Sequence, residues 1–125
     1  MAGFVTVRGP LFDGRAAHAA HDFCNDFETR YGREVENMVK ARIHQVFRHP
    51  TGNYERHLQT VRSGAGVEVN DSNIIYGPWL EGTGSRNRTT RFKGYATFRL
   101  VAQRAERQAG VFADRMIDPY LRRMQ

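Results

Sequence analysis

At 125 residues the chain has the length of one ordinary domain and cannot build two independent cores. Its composition, 40% apolar, 11% aromatic and 26% charged, is that of a globular chain and excludes a wholly disordered one. Nineteen Lys and Arg against thirteen Asp and Glu give +6, which suits an anionic partner, and apolar runs of only a few residues exclude a membrane span.

Residues 3–8, Gly-Phe-Val-Thr-Val-Arg, are rich in β-branched and aromatic side chains and predict a short strand, stopped at Gly9-Pro10. Met1-Ala2-Gly3-Phe4 does not open a secretory signal. Asp13 stands where a helix N-cap would, and a long helical pattern runs from there to about His49. Phe23, Phe27, Tyr31, Val35, Met38, Val39, Ile43, Val46 and Phe47 form its apolar stripe, at steps of three and four. Gly32 costs about 1 kcal/mol relative to alanine inside a helix and marks the expected place for a break or kink. Cys24, the lone cysteine, has no internal disulfide partner, fits a reducing cytoplasm, and is expected to be buried and inert beside Phe23 and Phe27.

His49-Pro50-Thr51-Gly52-Asn53 closes the helix, and from Tyr54 the period changes to two. The runs around Leu58–Arg62 and Val67–Val69, separated by Ser63-Gly64-Ala65-Gly66, predict a β-hairpin. Asn70-Asp71-Ser72-Asn73 reads as a second turn leading to a third strand, Ile74-Ile75-Tyr76, ended by Gly77-Pro78. Residues 82–94 are mostly Gly, Thr, Ser, Asn, Arg and Lys and predict an exposed, mobile loop. A second helix is expected from about Tyr95 to Met124, with a stripe through Phe98, Val101, Ala105, Phe112, Met116 and Tyr120 and a break near Asp118-Pro119. The sum is one α+β domain over residues 1–125, a small antiparallel sheet of three to four strands against a long N-terminal and a C-terminal helix.

No catalytic set stands out. His18 and His21 lie three apart, but no matching second pair accompanies them, so no metal is expected. No serine sits in a Gly-x-Ser-x-Gly turn, Glu81 has no second tuned carboxylate, and Gly82-Thr83-Gly84 lacks the Gly-Lys-Ser/Thr of a phosphate loop. Neither an enzyme nor a cofactor is expected. The basic side is almost all arginine, seventeen against Lys40 and Lys93. That excess suits phosphate or carboxylate pairing, or simply reflects a G+C-rich genome. Arg86, Arg88, Arg91 and Lys93 alternate with Asn, Thr and Phe92, a mixture that contacts phosphates, while Phe92 could stack on a base. The same loop could dock on an acidic protein. Tyr76, Pro78 and Trp79 beside it read either as a lid over the core or as an aromatic anchor between subunits.

Ile75-Tyr76-Gly77-Pro78-Trp79-Leu80-Glu81-Gly82-Thr83 resembles the signature of the tail-completion, or head–tail joining, proteins of long-tailed bacteriophages. In that family a Tyr-Ala-Pro-aromatic-aliphatic-Glu run, then an aromatic and Gly-Thr, follows a hairpin and precedes a variable loop, an Arg-Pro-Phe element and a C-terminal helix. Thr90-Arg91-Phe92-Lys93-Gly94-Tyr95 takes the later position here, and Thr51-Gly52 before the hairpin also matches. Two departures stand out: Glu81 runs straight into Gly82, and the prolines around Phe92 are missing. The opening Val5–Gly14 is similar to small neck or tail proteins of actinobacterial phages.

The resemblance implies a structural protein of the virion neck, made in the host cytoplasm, that closes into a six-fold or twelve-fold ring between head-side adaptor or stopper proteins and the tail tube or its terminator. Tail terminator and small basic DNA-binding accessory protein are the alternatives. Tyr76, Pro78, Trp79, Glu81 and Thr83 would then mark a subunit boundary. Arg86, Arg88, Arg91, Phe92 and Lys93 would reach an adjacent ring or passing DNA. No membrane partner is implied.

Overall fold

The stripe from Phe23 to Val46 lies on one helix, α1 (Arg15–Val46), with Phe47 at its C-cap, in the computed structural model, which describes residues 5, 14–48, 51–63 and 66–125. Its 32 residues make a rod about 48 Å long at 1.5 Å per residue. Gly14, in the left-handed region at φ 86°, precedes its first turn, and the expected cap Asp13 lies outside the described residues. Gly32 does not break the rod. A Cβ there would lie 2.7 Å from Val67 Cγ1 and 3.2 Å from Thr60 Cγ2, so the glycine is where the hairpin presses against the helix. Cys24 is exposed rather than buried, because it stands one step round the helix from the Phe23–Phe27 stripe.

After a single-turn helix, α2 (Asn53–Arg56), the hairpin forms as β1 (Gln59–Ser63) and β2 (Gly66–Asn70), paired antiparallel with Thr60 opposite Val69 and Arg62 opposite Val67. Those four side chains share one face by strand alternation. Polar bonds tie that face to α1. Thr60 Oγ1 donates to Glu36 Oε2 at 3.1 Å, and Arg62 donates to Glu28 Oε2 at 2.9 Å, Thr29 Oγ1 at 2.6 Å and the Asn25 carbonyl at 3.1 Å.

Among the described residues the sheet has these two strands, not three or four. The expected third strand, Ile74–Tyr76, is a pair of turns instead. Ser72 and Asn73 both take left-handed φ values, 59° and 55°, and Ile74 and Gly77 donate back to the Asp71 and Ile74 carbonyls at 3.3 and 2.9 Å. The turn chemistry of Asn70–Asn73 thus runs on through two β-branched residues and overrides their strand propensity. The strand expected at residues 3–8 falls almost wholly outside the described residues.

Helices α5 (Thr97–Met116) and α6 (Asp118–Arg123) take the place of the expected C-terminal helix, separated at Ile117 just before Pro119. Contacts with α1 run in opposite order along the chain, so the two stretches are antiparallel. Val101 packs with Val39, the Tyr31 hydroxyl donates to the Ala105 carbonyl, Tyr31 meets Phe112 at 4.9 Å, and Phe23 meets Tyr120 at 5.4 Å. The far end is pinned by Arg123 Nη2 donating to Asp22 Oδ2 at 2.6 Å and by the Tyr120 hydroxyl on Asp26. That arginine holds the Asp22 carboxyl below its ordinary pKa. Met38, Val39, Ile43, Tyr54, Leu58 and Val101 form the buried centre, where a fully buried side chain such as Ile43 contributes about 2–3 kcal/mol.

Candidate functional site

Between the hairpin and α5, the chain is ordered by side chains that each hold several backbone groups. Residues 77–81 form a short helix, α3 (Gly77–Glu81), with Pro78 in its first turn. The Pro78 carbonyl accepts from the N–H groups of Gly82, Thr83 and Gly84 at 2.9, 2.9 and 3.1 Å, which turns the chain sharply out of the helix. Gly82 and Gly94, at φ 104° and 93°, then meet back to back. A Cβ on Gly94 would come within 2.3 Å of Gly82 backbone atoms, so both positions require glycine. Beside them Tyr95 and Ala96 donate to the Leu80 and Glu81 carbonyls at 2.7 and 3.1 Å, closing residues 82–94 into a loop with a pinched neck.

Inside that loop lies one helical turn, α4 (Arg86–Thr89), and its buried residue is Asn87, 4% exposed. Asn87 Nδ2 donates to the Trp79 and Phe92 carbonyls at 3.0 and 3.1 Å, while Oδ1 accepts from the Gly84 N–H at 3.0 Å. Lys93 folds its ammonium back onto the Asn87 carbonyl at 2.7 Å. Phe92 lies between Trp79 and Tyr95, with ring centroids 4.4 and 4.9 Å away.

Glu81 links this loop to the scaffold. Its carboxylate accepts from the Phe98 N–H at 2.8 and 3.1 Å and from the Arg99 N–H at 3.4 Å. It therefore caps α5, whose own preceding residue, Ala96, supplies no side-chain cap. At the other end, the Tyr54 hydroxyl donates to Asp71 Oδ2 at 3.0 Å. Burial first, and then that bond, push the Tyr54 phenol well above its ordinary pKa. Gly77 presses on the same carboxylate, since a Cβ there would stand 2.2 Å from Asp71 Oδ2.

The residues singled out from the sequence thus divide in two. Held by contacts within the chain are Tyr76, whose hydroxyl accepts from Asn53; Glu81, the helix cap; Phe92, packed at a tilt against Trp79; and Lys93, exposed but bound through its ammonium to the Asn87 carbonyl. Facing outward are Pro78, Thr83, Arg86, Arg88 and Arg91, with Trp79 38% exposed. Next to them Ile75 is 94% exposed, at the rim of an open hollow of about 480 Å³ lined by Val69, Asp71, Ile74, Pro78, Glu81 and Phe98. Sequence reasoning gave Ile75 as part of a strand and of the family resemblance, counted Asn87 among the phosphate-contacting groups of an exposed loop, and passed over the Gly82–Gly94 contact. Two glycines bracketing a polar stretch were the available signal for the pinched neck, and nothing in the local pattern marks Asn87.

The arrangement offers apolar and cationic surface for contact. Among the described residues no three His, Cys, Asp or Glu side chains gather as a metal site, and no helix is long and apolar enough to cross a membrane. No family model, characterised protein or solved structure matches the chain significantly.

Proposed function

We propose that this chain is a structural protein of a bacteriophage neck, which closes into a ring and joins the DNA-filled head to the tail. The observation that carries the reading is the exposure of Ile75 and Trp79, four residues apart in the chain. Two large apolar side chains stand exposed on a segment that Glu81, Asn87 and the Gly82–Gly94 contact hold in one shape. Tryptophan and arginine are enriched among the anchors of protein interfaces. The segment is also the one whose residues 75–83 resemble the head–tail joining signature. Heterologous contacts between identical subunits at such a surface close into a ring when the rotation allows.

Electron microscopy of particles from a phage lacking the gene tests this. Filled heads beside separate, finished tails are the expected result. Tails of uncontrolled length would assign the chain to the terminator position, and normal infectious particles would overturn the virion role. Complementation with Ile75→Ser/Trp79→Ala is expected to fail although the variant remains folded by circular dichroism. Restored joining by that variant would remove this surface from the interface.

A further inference from the structure

From Glu81 to Glu106 the chain carries no acidic residue, yet it carries Arg86, Arg88, Arg91, Lys93, Arg99 and Arg104. Several carboxylates elsewhere are occupied within the chain: Asp22 by Arg123, Glu28 by Arg62, Glu36 by Thr60, Glu55 by His44 at 3.0 Å, Asp71 by Tyr54. Arg86, Arg88 and Arg91 have no side-chain partner among the described residues and are exposed. Their backbone is nonetheless fixed. Asn87 is buried between Arg86 and Arg88 and bonded to three backbone groups, and Thr90 Oγ1 donates to the Arg86 carbonyl at 2.8 Å. A fixed backbone presenting unpaired guanidinium groups lowers the ordering cost of binding an anion.

We infer that the α4 turn is a binding surface for the phosphate backbone of duplex DNA, without base readout. Three exposed guanidinium forks fall within six residues, with Arg86 and Arg88 on either side of the buried Asn87, so together they can straddle a backbone of closely spaced phosphates. A protein partner would have to gather several unpaired carboxylates into the same small area, whereas a duplex presents its charges in an unbroken row. Stacking of a base on Phe92 is closed off, because its ring is held between Trp79 and Tyr95 and its carbonyl is tied to Asn87. The surface therefore reads charge spacing and not sequence. This inference is independent of the ring: a chain with no role in a virion could satisfy it, and a neck protein could fail it.

Fluorescence anisotropy with the full chain and a labelled duplex of two helical turns, titrated across salt, is the test. The expected result is binding at low salt with similar affinity for two unrelated sequences, and a log–log salt slope of about −3. The variant R86Q/R88Q/R91Q should bind at least about tenfold more weakly at low salt, with the slope reduced by about two to three units. R104Q/R107Q/R115Q removes the same charge from the outer face of α5, where Glu106 and Asp114 are interleaved, and should change affinity by less than about threefold. Asn87→Ala, which removes no charge, should weaken binding while the helices persist by circular dichroism. Equal loss in the two triple variants would mean diffuse attraction and overturn the assignment. So would absence of duplex binding alongside binding to poly-glutamate, which would give the surface to an acidic protein. A strong preference between the two duplex sequences would overturn the backbone-only reading.

Discussion

Where α1 meets α5 and α6, order comes from a long apolar seam of Val39, Val101, Tyr31, Phe112, Phe23 and Tyr120, interrupted by few polar contacts. Between residues 71 and 96 it comes from a handful of polar groups, Asp71, Glu81, Asn87 and Lys93, each bonded to backbone or to a buried hydroxyl. A seam spreads its stabilisation over many contacts, so one loss is partly absorbed. A polar clamp concentrates it, so one substitution releases a whole stretch. The surfaces offered to partners lie on the clamped part, and the seam serves as their support.

The sharpest way to break this contrast is at the neck of the loop. Gly94→Ala places a methyl group within 2.3 Å of Gly82 and forces a side chain into a left-handed conformation. Strain and overpacking together are expected to cost about 4 kcal/mol, read by urea unfolding. A near-neutral effect would show that the two glycines do not need their close approach. In the buried centre that the seam adjoins, Ile43→Ala should cost about 3 kcal/mol, shared across all helices in one transition.

Asn87→Ala comes next, at about 2 kcal/mol, because it strands the Trp79 carbonyl and leaves the Gly84 N–H and the Phe92 carbonyl with only their bonds to Pro78 and Thr90. Hydrogen exchange should rise between residues 79 and 93 while α1 and α5 keep their protection. Loss of protection everywhere would erase the distinction between clamped and seamed regions. The smallest effect is a pH dependence. Tyr54 has a folded-state pKa raised above the ordinary 10.0, so its stabilising contribution is complete below pH 10.0 and is lost as the pH rises further. Thermal melts from about pH 8 to about pH 11 should show stability falling with alkalinity, and Tyr54→Phe should flatten that fall. An unchanged profile in the variant would assign the alkaline loss to other groups.

The same division explains what could be read from the chain alone. Periods of 3.6 and 2 announced α1, the hairpin and α5, because burial along a seam writes itself into spacing. Even the break before Pro119 was visible. The failures lie where one residue does the ordering. Ile74-Ile75-Tyr76 has strand composition, but the left-handed Ser72 and Asn73 turn the chain first. Glu81 looked like a contact residue, and its carboxylate instead reaches forward to Phe98, a link between positions 17 apart that no local pattern encodes. Asn87 reads from the sequence as one more exposed, phosphate-contacting group of the loop, since composition does not distinguish a buried amide from a solvated one. Cys24 was misplaced by a single step of the helical wheel.

Trp79 is the chain's one tryptophan, and it stands in the clamped region with its ring 4.4 Å from Phe92. Its emission therefore reports on that region alone, while far-ultraviolet dichroism is dominated by α1 and α5. The protein in this way contains two spectroscopic channels, one for each mode of order, without any attached dye. Followed together during denaturation or on adding a partner, they separate local release of residues 71–96 from global unfolding in a single cuvette.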